Sequence, residues 1–208
     1  SLIGLDRASR RVVVFVDLYT PEAEHNPDGD IVASQPTDLA FSPDGAIYIA
    51  NAGCNCVMRW SAREGVSIAL SWDIEDNPVP TSVEFGPDGD LYVGFLTGFP
   101  FPEEGSRLER WRGGELVRTY TGLTAVVGLL VDDEGTIYAV EHGRFGDVGW
   151  DTGTGRVVRV DENGLTPLLE GLDRPYGIAK APDGRLAVTV HAAGEPGTGQ
   201  VIGFDAGM

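Results

Sequence analysis

Lysine occurs once in this 208-residue chain, at Lys180; the other fourteen of its 15 basic residues are arginine. Against them stand 32 aspartates and glutamates, a formal net charge of −17. A surface that negative repels a phosphate backbone, which argues against a nucleic-acid partner. No stretch approaches the roughly 20 apolar residues that a membrane-spanning helix needs. Two cysteines, Cys54 and Cys56, stand two apart in Gly53-Cys54-Asn55-Cys56. Bridging them would close a very small, strained ring, so the expectation is a tight loop with two small thiols. A redox pair and metal scavenging are the alternatives, and a soft metal would want more thiolates or histidines than one such pair supplies. No metal ligands are assigned. Walker loop, dinucleotide fingerprint, Gly-x-Ser-x-Gly elbow and zinc-protease helix are all missing. A charged n-region followed by an apolar run is missing too, so the expectation is a signal peptide absent or already removed.

What is present is a repeat. Hydrophobic residues make up 42% and charged residues 23%, ordinary values for a folded chain. Four segments align: Pro36–Gly53, Pro80–Gly98, Val126–Gly143 and Pro175–Ala193. Each is an alternating apolar run, a tight turn and a second alternating run. The turns read Pro43-Asp44-Gly45, Pro87-Asp88-Gly89, Asp133-Glu134-Gly135 and Pro182-Asp183-Gly184. Proline presets φ, aspartate bonds its own turn, and glycine takes φ > 0. Two more short strands follow each of the first three pairs: Cys56–Trp60 and Val66–Leu70, Arg107–Trp111 and Leu116–Tyr120, Arg156–Val160 and Thr166–Glu170. Only Gln200–Phe204 follows the fourth. Four short strands in about 45 residues are the signature of a β-propeller blade.

The fold class predicted is therefore all-β, a propeller of four-stranded antiparallel blades, four to five of them in this chain. One domain spans residues 1–208, with blade units near 1–18 (partial), 36–70, 80–120, 126–170 and 175–204. Leu2–Asp6 and Arg11–Leu18 read as the third and fourth strands of an earlier blade, and amphipathic helix patterns are absent. The incomplete units leave open blade edges that would invite self-association.

In such a blade the turns between its first two strands lie on one face. The loops between its second and third strands, and the crossovers between blades, lie on the other. Here the first kind is minimal throughout. The long segments Tyr19–Gln35, Ser71–Val79, Phe95–Ser106, His142–Gly155 and Ala192–Gly199 all belong to the second kind, so function is expected on that one face. Second-strand ends there carry Asn51, Phe95, Glu141, His142 and His191. The carboxylate, imidazoles and amide would suit a polar ligand or cation; alternatively each caps a loop. Phe99 and Phe101, held by Pro100 and Pro102, would form a partner-binding knob, or fold over the blade and pack against Trp72 or Trp150. Trp60 and Trp111 read as blade packing. His25, in the crossover with Glu22 and Glu24, reads as part of a solvated loop without the EF-hand pattern.

The crossover Asn26-Pro27-Asp28-Gly29 and the loop Leu96–Arg107 resemble the ScyD/ScyE family, secreted propellers named after a scytonemin biosynthesis cluster. The likeness runs over nearly the whole chain. It implies a larger, six-bladed ring behind a signal peptide, an extracellular or periplasmic place, and no known reaction. The repeat also resembles that of the gluconolactonase/regucalcin group, where an asparagine after proline ligates calcium. Here Thr37, Thr81, Val127 and Tyr176 hold those positions, none a strong calcium ligand. No cofactor is assigned, calcium being the ion considered. A virginiamycin-type lyase would use a histidine-based acid–base pair, for which His142 and His191 are the candidates. Two functions follow. The first is a binding scaffold taking a small molecule, polysaccharide or protein at the channel face. The second is a lyase or hydrolase using Glu141, His142 and His191. The two differ in whether those three side chains converge on one point.

Overall fold

The computed structural model describes residues 1–207. Its first blade is β3 to β6, where β1 (Leu2–Leu5), β2 (Val12–Val16) and helix α1 (Tyr19–His25) come before β3 (Pro36–Phe41), β4 (Ile47–Asn51), β5 (Cys56–Ser61) and β6 (Gly65–Ser71). The second blade is β7 (Pro80–Phe85), β8 (Leu91–Phe95), β9 (Ser106–Arg112) and β10 (Glu115–Leu123). In the third, β11 (Val126–Val131) and β12 (Ile137–Glu141) are separated from β15 (Gly155–Asp161) and β16 (Gly164–Leu172) by a miniature hairpin, β13 (Phe145–Gly146) and β14 (Gly149–Trp150). The fourth holds β17 (Ile178–Lys180), β18 (Leu186–Val190) and β19 (Gln200–Phe204). Each blade is an antiparallel sheet in chain order, and β1 pairs with β2.

The strands form because their alternating apolar residues are buried against neighbouring sheets, on both faces in the second and third blades, where β8, β11 and β12 run nearly continuously apolar. Four apolar layers lie between successive sheets. Leu2, Val14 and Val16 of the opening pair cover Ile49, Met58 and Trp60; Ala50 and Val57 meet Val83, Val93 and Phe95. Leu108 and Leu123 meet Val126, Leu129 and Val158; Val140 and Val157 meet Val188, Val190 and Ile202. First strands are also tied directly. The Val83 amide donates to Asp38 Oδ2 at 3.0 Å, and Thr81 Oγ1 donates to the Val126 carbonyl at 2.7 Å.

The four turn glycines, Gly45, Gly89, Gly135 and Gly184, have φ of 80–87°, the left-handed value the turn sequences predict. The turns of the first three blades also sit side by side: a carbon added to Gly89 would lie 3.6 Å from Pro43, and one on Gly135 3.8 Å from Pro87. They mark one end of the propeller.

Two expectations are corrected. Tyr19–His25 is a helix, not irregular crossover. Asp17 Oδ1 accepts from the Tyr19 amide at 2.9 Å, Pro21 sits in the first turn where its missing N–H costs nothing, and Asn26 closes the helix in the left-handed region. Seven residues are too few for a period to show. Cys54 and Cys56 are joined, with sulfurs 1.99 Å apart. A single 3₁₀ turn over Ala52–Cys54, closed by Asn55 at φ 44°, folds the chain back so that the two Cα atoms are 5.2 Å apart, an ordinary disulfide span. β2 pairs with β1 and packs on the first blade, and the far edge of β19 has no strand beside it among the described residues.

Candidate functional site

The long connections meet one another around a single rim. Ile74 of the second crossover donates to the Asp28 carbonyl, and Asn55 Nδ2 reaches Asp28 at 3.1 Å and Asn77 at 3.3 Å. Thr97 bonds Pro78, the Glu104 amide bonds Thr124 Oγ1 at 2.8 Å, and Arg144 lies 4.0 Å from Glu103. His142 Nδ1 bonds the Pro175 carbonyl at 3.0 Å, and His191 Nδ1 bonds Asp173 at 3.0 Å. Each contact joins a loop of one blade to the next.

On this rim the second- and third-blade loops build an aromatic ledge. Phe101 lies 5.0 Å from Trp150 at a tilt of 36°, and 5.0 Å from Phe145. Phe145 meets Trp150 edge-on at 5.1 Å. His142 closes the inner side, 4.7 Å from Trp150 and 6.4 Å from Tyr176. Phe99 caps the group at 6.0 Å from Phe101 and is 77% exposed. The loop thus does both things its sequence offered: Phe101 folds onto Trp150, while Phe99 stands out. Trp72 is elsewhere. It packs edge-on against Phe95 at 4.9 Å, and its indole N–H shares Glu109 with that of Trp111.

The other sequence candidates lie at different depths. Phe95 is fully buried, with the Arg107 guanidinium 4.7 Å above its ring. Asn51 is fully buried as well. It accepts from the Gln35 amide at 2.7 Å and donates to Ser34 at 3.0 Å, pinning the first crossover. Both support the rim from beneath. Glu141 is 1% exposed and is held by the Arg156 guanidinium and the Thr124 amide. It borders a cavity of about 310 Å³ lined by Glu103, Glu104, Arg144, Arg156 and Glu170. His142 follows it on an extended chain and so points the opposite way. Burial holds His142 below the usual histidine range, leaving it neutral. His191 is paired with Asp173, whose carboxyl is pulled down to about 2, first by Arg174 and then by His191, against the upward push of burial. Glu141, His142 and His191 each have a partner of their own, Arg156, the Pro175 carbonyl and Asp173 respectively, and among the described residues the three do not form a set lying within 4.8 Å of one another.

Sequence reading passed over the channel wall. Asp38 and Glu84 project from first strands, and burial raises both carboxyls. The Tyr176 phenol, on the fourth blade, is raised by burial and further by the charge of Asp38 on the first. The available signal was a carboxylate within the apolar runs of β3 and β7. At the calcium-ligand positions of the lactonase-type repeat, Thr37 Oγ1 is committed to the Ala50 carbonyl and Thr81 Oγ1 to those of Gly94 and Val126. Tyr176 turns its ring to His142. That donor set does not fit calcium there.

No protein-family model matches the chain, and no curated protein sequence does. Solved structures do match. Virginiamycin B lyase from Staphylococcus aureus is similar with a TM-score of 0.56 at 17% identity, over 83% of this chain and 56% of the lyase. The fold is a β-propeller. A gluconolactonase from Xanthomonas campestris gives 0.62 at 18% identity, over 83% of this chain and 59% of that one. A chain of the nidogen/laminin complex gives 0.60 at 15%, over 96% and 72%. The propeller described here thus spans little more than half the length of the lyase and the lactonase. At these identities the likeness is one of fold alone.

Proposed function

We propose that this is a binding propeller of the ScyD/ScyE type, secreted, which takes its ligand on the aromatic ledge of the loop-rich rim. The observation that carries the reading is the ledge itself: Phe99, Phe101, Phe145 and Trp150 gathered from two blades, part of their ring surface open to solvent beside an acidic cavity. Aromatic faces backed by a rigid scaffold bind sugar rings, planar small molecules or apolar side chains. The commitment of Glu141 to Arg156, of His142 to the Pro175 carbonyl and of His191 to Asp173 supports binding over catalysis, because acid–base chemistry needs its groups free at one reacting atom. The test is fluorescence titration of the full chain with soluble neutral polysaccharides and with the uncharged dye Nile red, comparing wild type with a Phe99→Ala/Phe101→Ala variant. Saturable binding that the variant loses supports the reading; binding that survives it places the site elsewhere.

The enzymatic alternative rests on the neighbours named for lyase and lactonase activity, and on the titratable trio Asp38, Glu84 and Tyr176 in the channel. It predicts turnover of a lactone or cyclic ester that Asp38→Asn abolishes.

A further inference from the structure

Glu22 is the one side chain on α1 that is completely buried, and although the Ala33 backbone lies near its carboxyl, neither oxygen makes a hydrogen bond of ordinary geometry. A buried carboxyl without good partners is costly to keep, so its place calls for an occupant or a second state. Its surroundings name one. A carboxylate oxygen of Glu22 and the sulfurs of Cys54 and Cys56, all fully buried, lie within 4.8 Å of one another. The disulfide offers this oxygen nothing to bond, since oxidised sulfurs carry no proton. Two thiolates and a carboxylate at that separation are a donor set for a thiophilic divalent ion. The other face of the helix is open to solvent: Tyr19, Thr20, Ala23, Glu24 and His25 are exposed.

The geometry points to a redox-gated metal site. With the Cys54–Cys56 bond closed there is no ligand set; with it opened, Cys54, Cys56 and Glu22 bind zinc or a like cation. The gate is a two-electron reduction by a dithiol or phosphine. A phosphine breaks the S–S bond, takes oxygen from water to become its oxide, and leaves two thiols. The incoming cation then displaces both thiol protons to solvent and binds two thiolates and the Glu22 carboxylate.

The experiment uses the full chain and Co²⁺ as a coloured stand-in for zinc. After treatment with excess phosphine and removal of the reagent under argon, thiols are counted and Co²⁺ is titrated. The expected result is two thiols and a 1:1 rise in thiolate-to-cobalt charge-transfer absorption. Oxidised protein should show none, and zinc should bleach the colour. Glu22→Gln should weaken binding at least about tenfold, the least that loss of a supporting group costs a metal site. Cys54→Ser/Cys56→Ser should abolish it. The proposal is overturned if the disulfide resists reduction, if two free thiols form but no cobalt band appears, or if folded Glu22→Gln binds as tightly as wild type. Should Glu22→Gln fail to fold, the wild-type titration and the serine variant decide.

Discussion

Phe95 and Phe99 lie four residues apart in one segment, and the structure gives them opposite fates. Phe95 is fully buried, edge-on to Trp72 and beneath Arg107, whereas Phe99 is 77% exposed. Truncating a buried phenylalanine to alanine costs about 3–5 kcal/mol, and the Trp72 and Arg107 contacts place Phe95→Ala in the upper part of that range. At about 2–4 °C per kcal/mol for a chain of this size, Tm should fall by about 12 °C. Phe99→Ala removes mostly solvated surface and should change stability by no more than about 0.5 kcal/mol, or about 2 °C. Thermal unfolding followed by circular dichroism and by tryptophan fluorescence checks both. A fall under about 4 °C for Phe95→Ala, or equal falls for the two, would refute this placement of the β8 end in the core and of the following loop on the rim.

Arg156→Ala strips the buried Glu141 carboxylate of its counter-charge and should cost about 3–5 kcal/mol in urea unfolding; adding Glu141→Gln should restore a large part. The neutral, buried His142 has a folded pKa below its unfolded one, so the unfolded chain binds the extra proton. Stability should therefore be fully present above the ordinary histidine pKa and decline as pH falls below it, and His142→Gln should flatten that slope in Tm measured between pH 8 and pH 5. Millimolar calcium should move Tm by no more than about 1 °C, since an ion held by the native state alone would raise it by mass action.

The fold was legible because the repeat is written in turn chemistry. Proline, an acid and glycine at fixed offsets specify the turn from local geometry alone, with no partner needed. The strands around them needed only alternation and length, which is why Gln200–Phe204 matches its observed bounds. What escaped was either too short to show a period or dependent on distant partners. The helix at Tyr19–His25 is made by Asp17 and Asn26 at its ends. The Cys54–Cys56 bond needs Asn55 in the left-handed region, and Glu22 reaches those sulfurs across a whole crossover. Likewise Phe101 had two tryptophans to choose from, and only the hairpin β13–β14 decides for Trp150. Strand-end positions of Glu141 and His142 were readable, but their orientations were not: Arg156 takes one and the Pro175 carbonyl the other.

The claim at the centre is that the ligand sits on the ledge of Phe99, Phe101, Phe145 and Trp150. The most direct measurement is saturation binding of a polysaccharide that the wild-type chain retains, repeated on Phe99→Ala/Phe101→Ala and on Leu116→Ala, which alters an exposed residue beside the third-to-fourth-strand turn of the second blade. Affinity should fall at least about tenfold, or 1.4 kcal/mol, in the first variant and stay unchanged in the second. Equal affinity in wild type and the double variant, or loss only with Leu116→Ala, would contradict it.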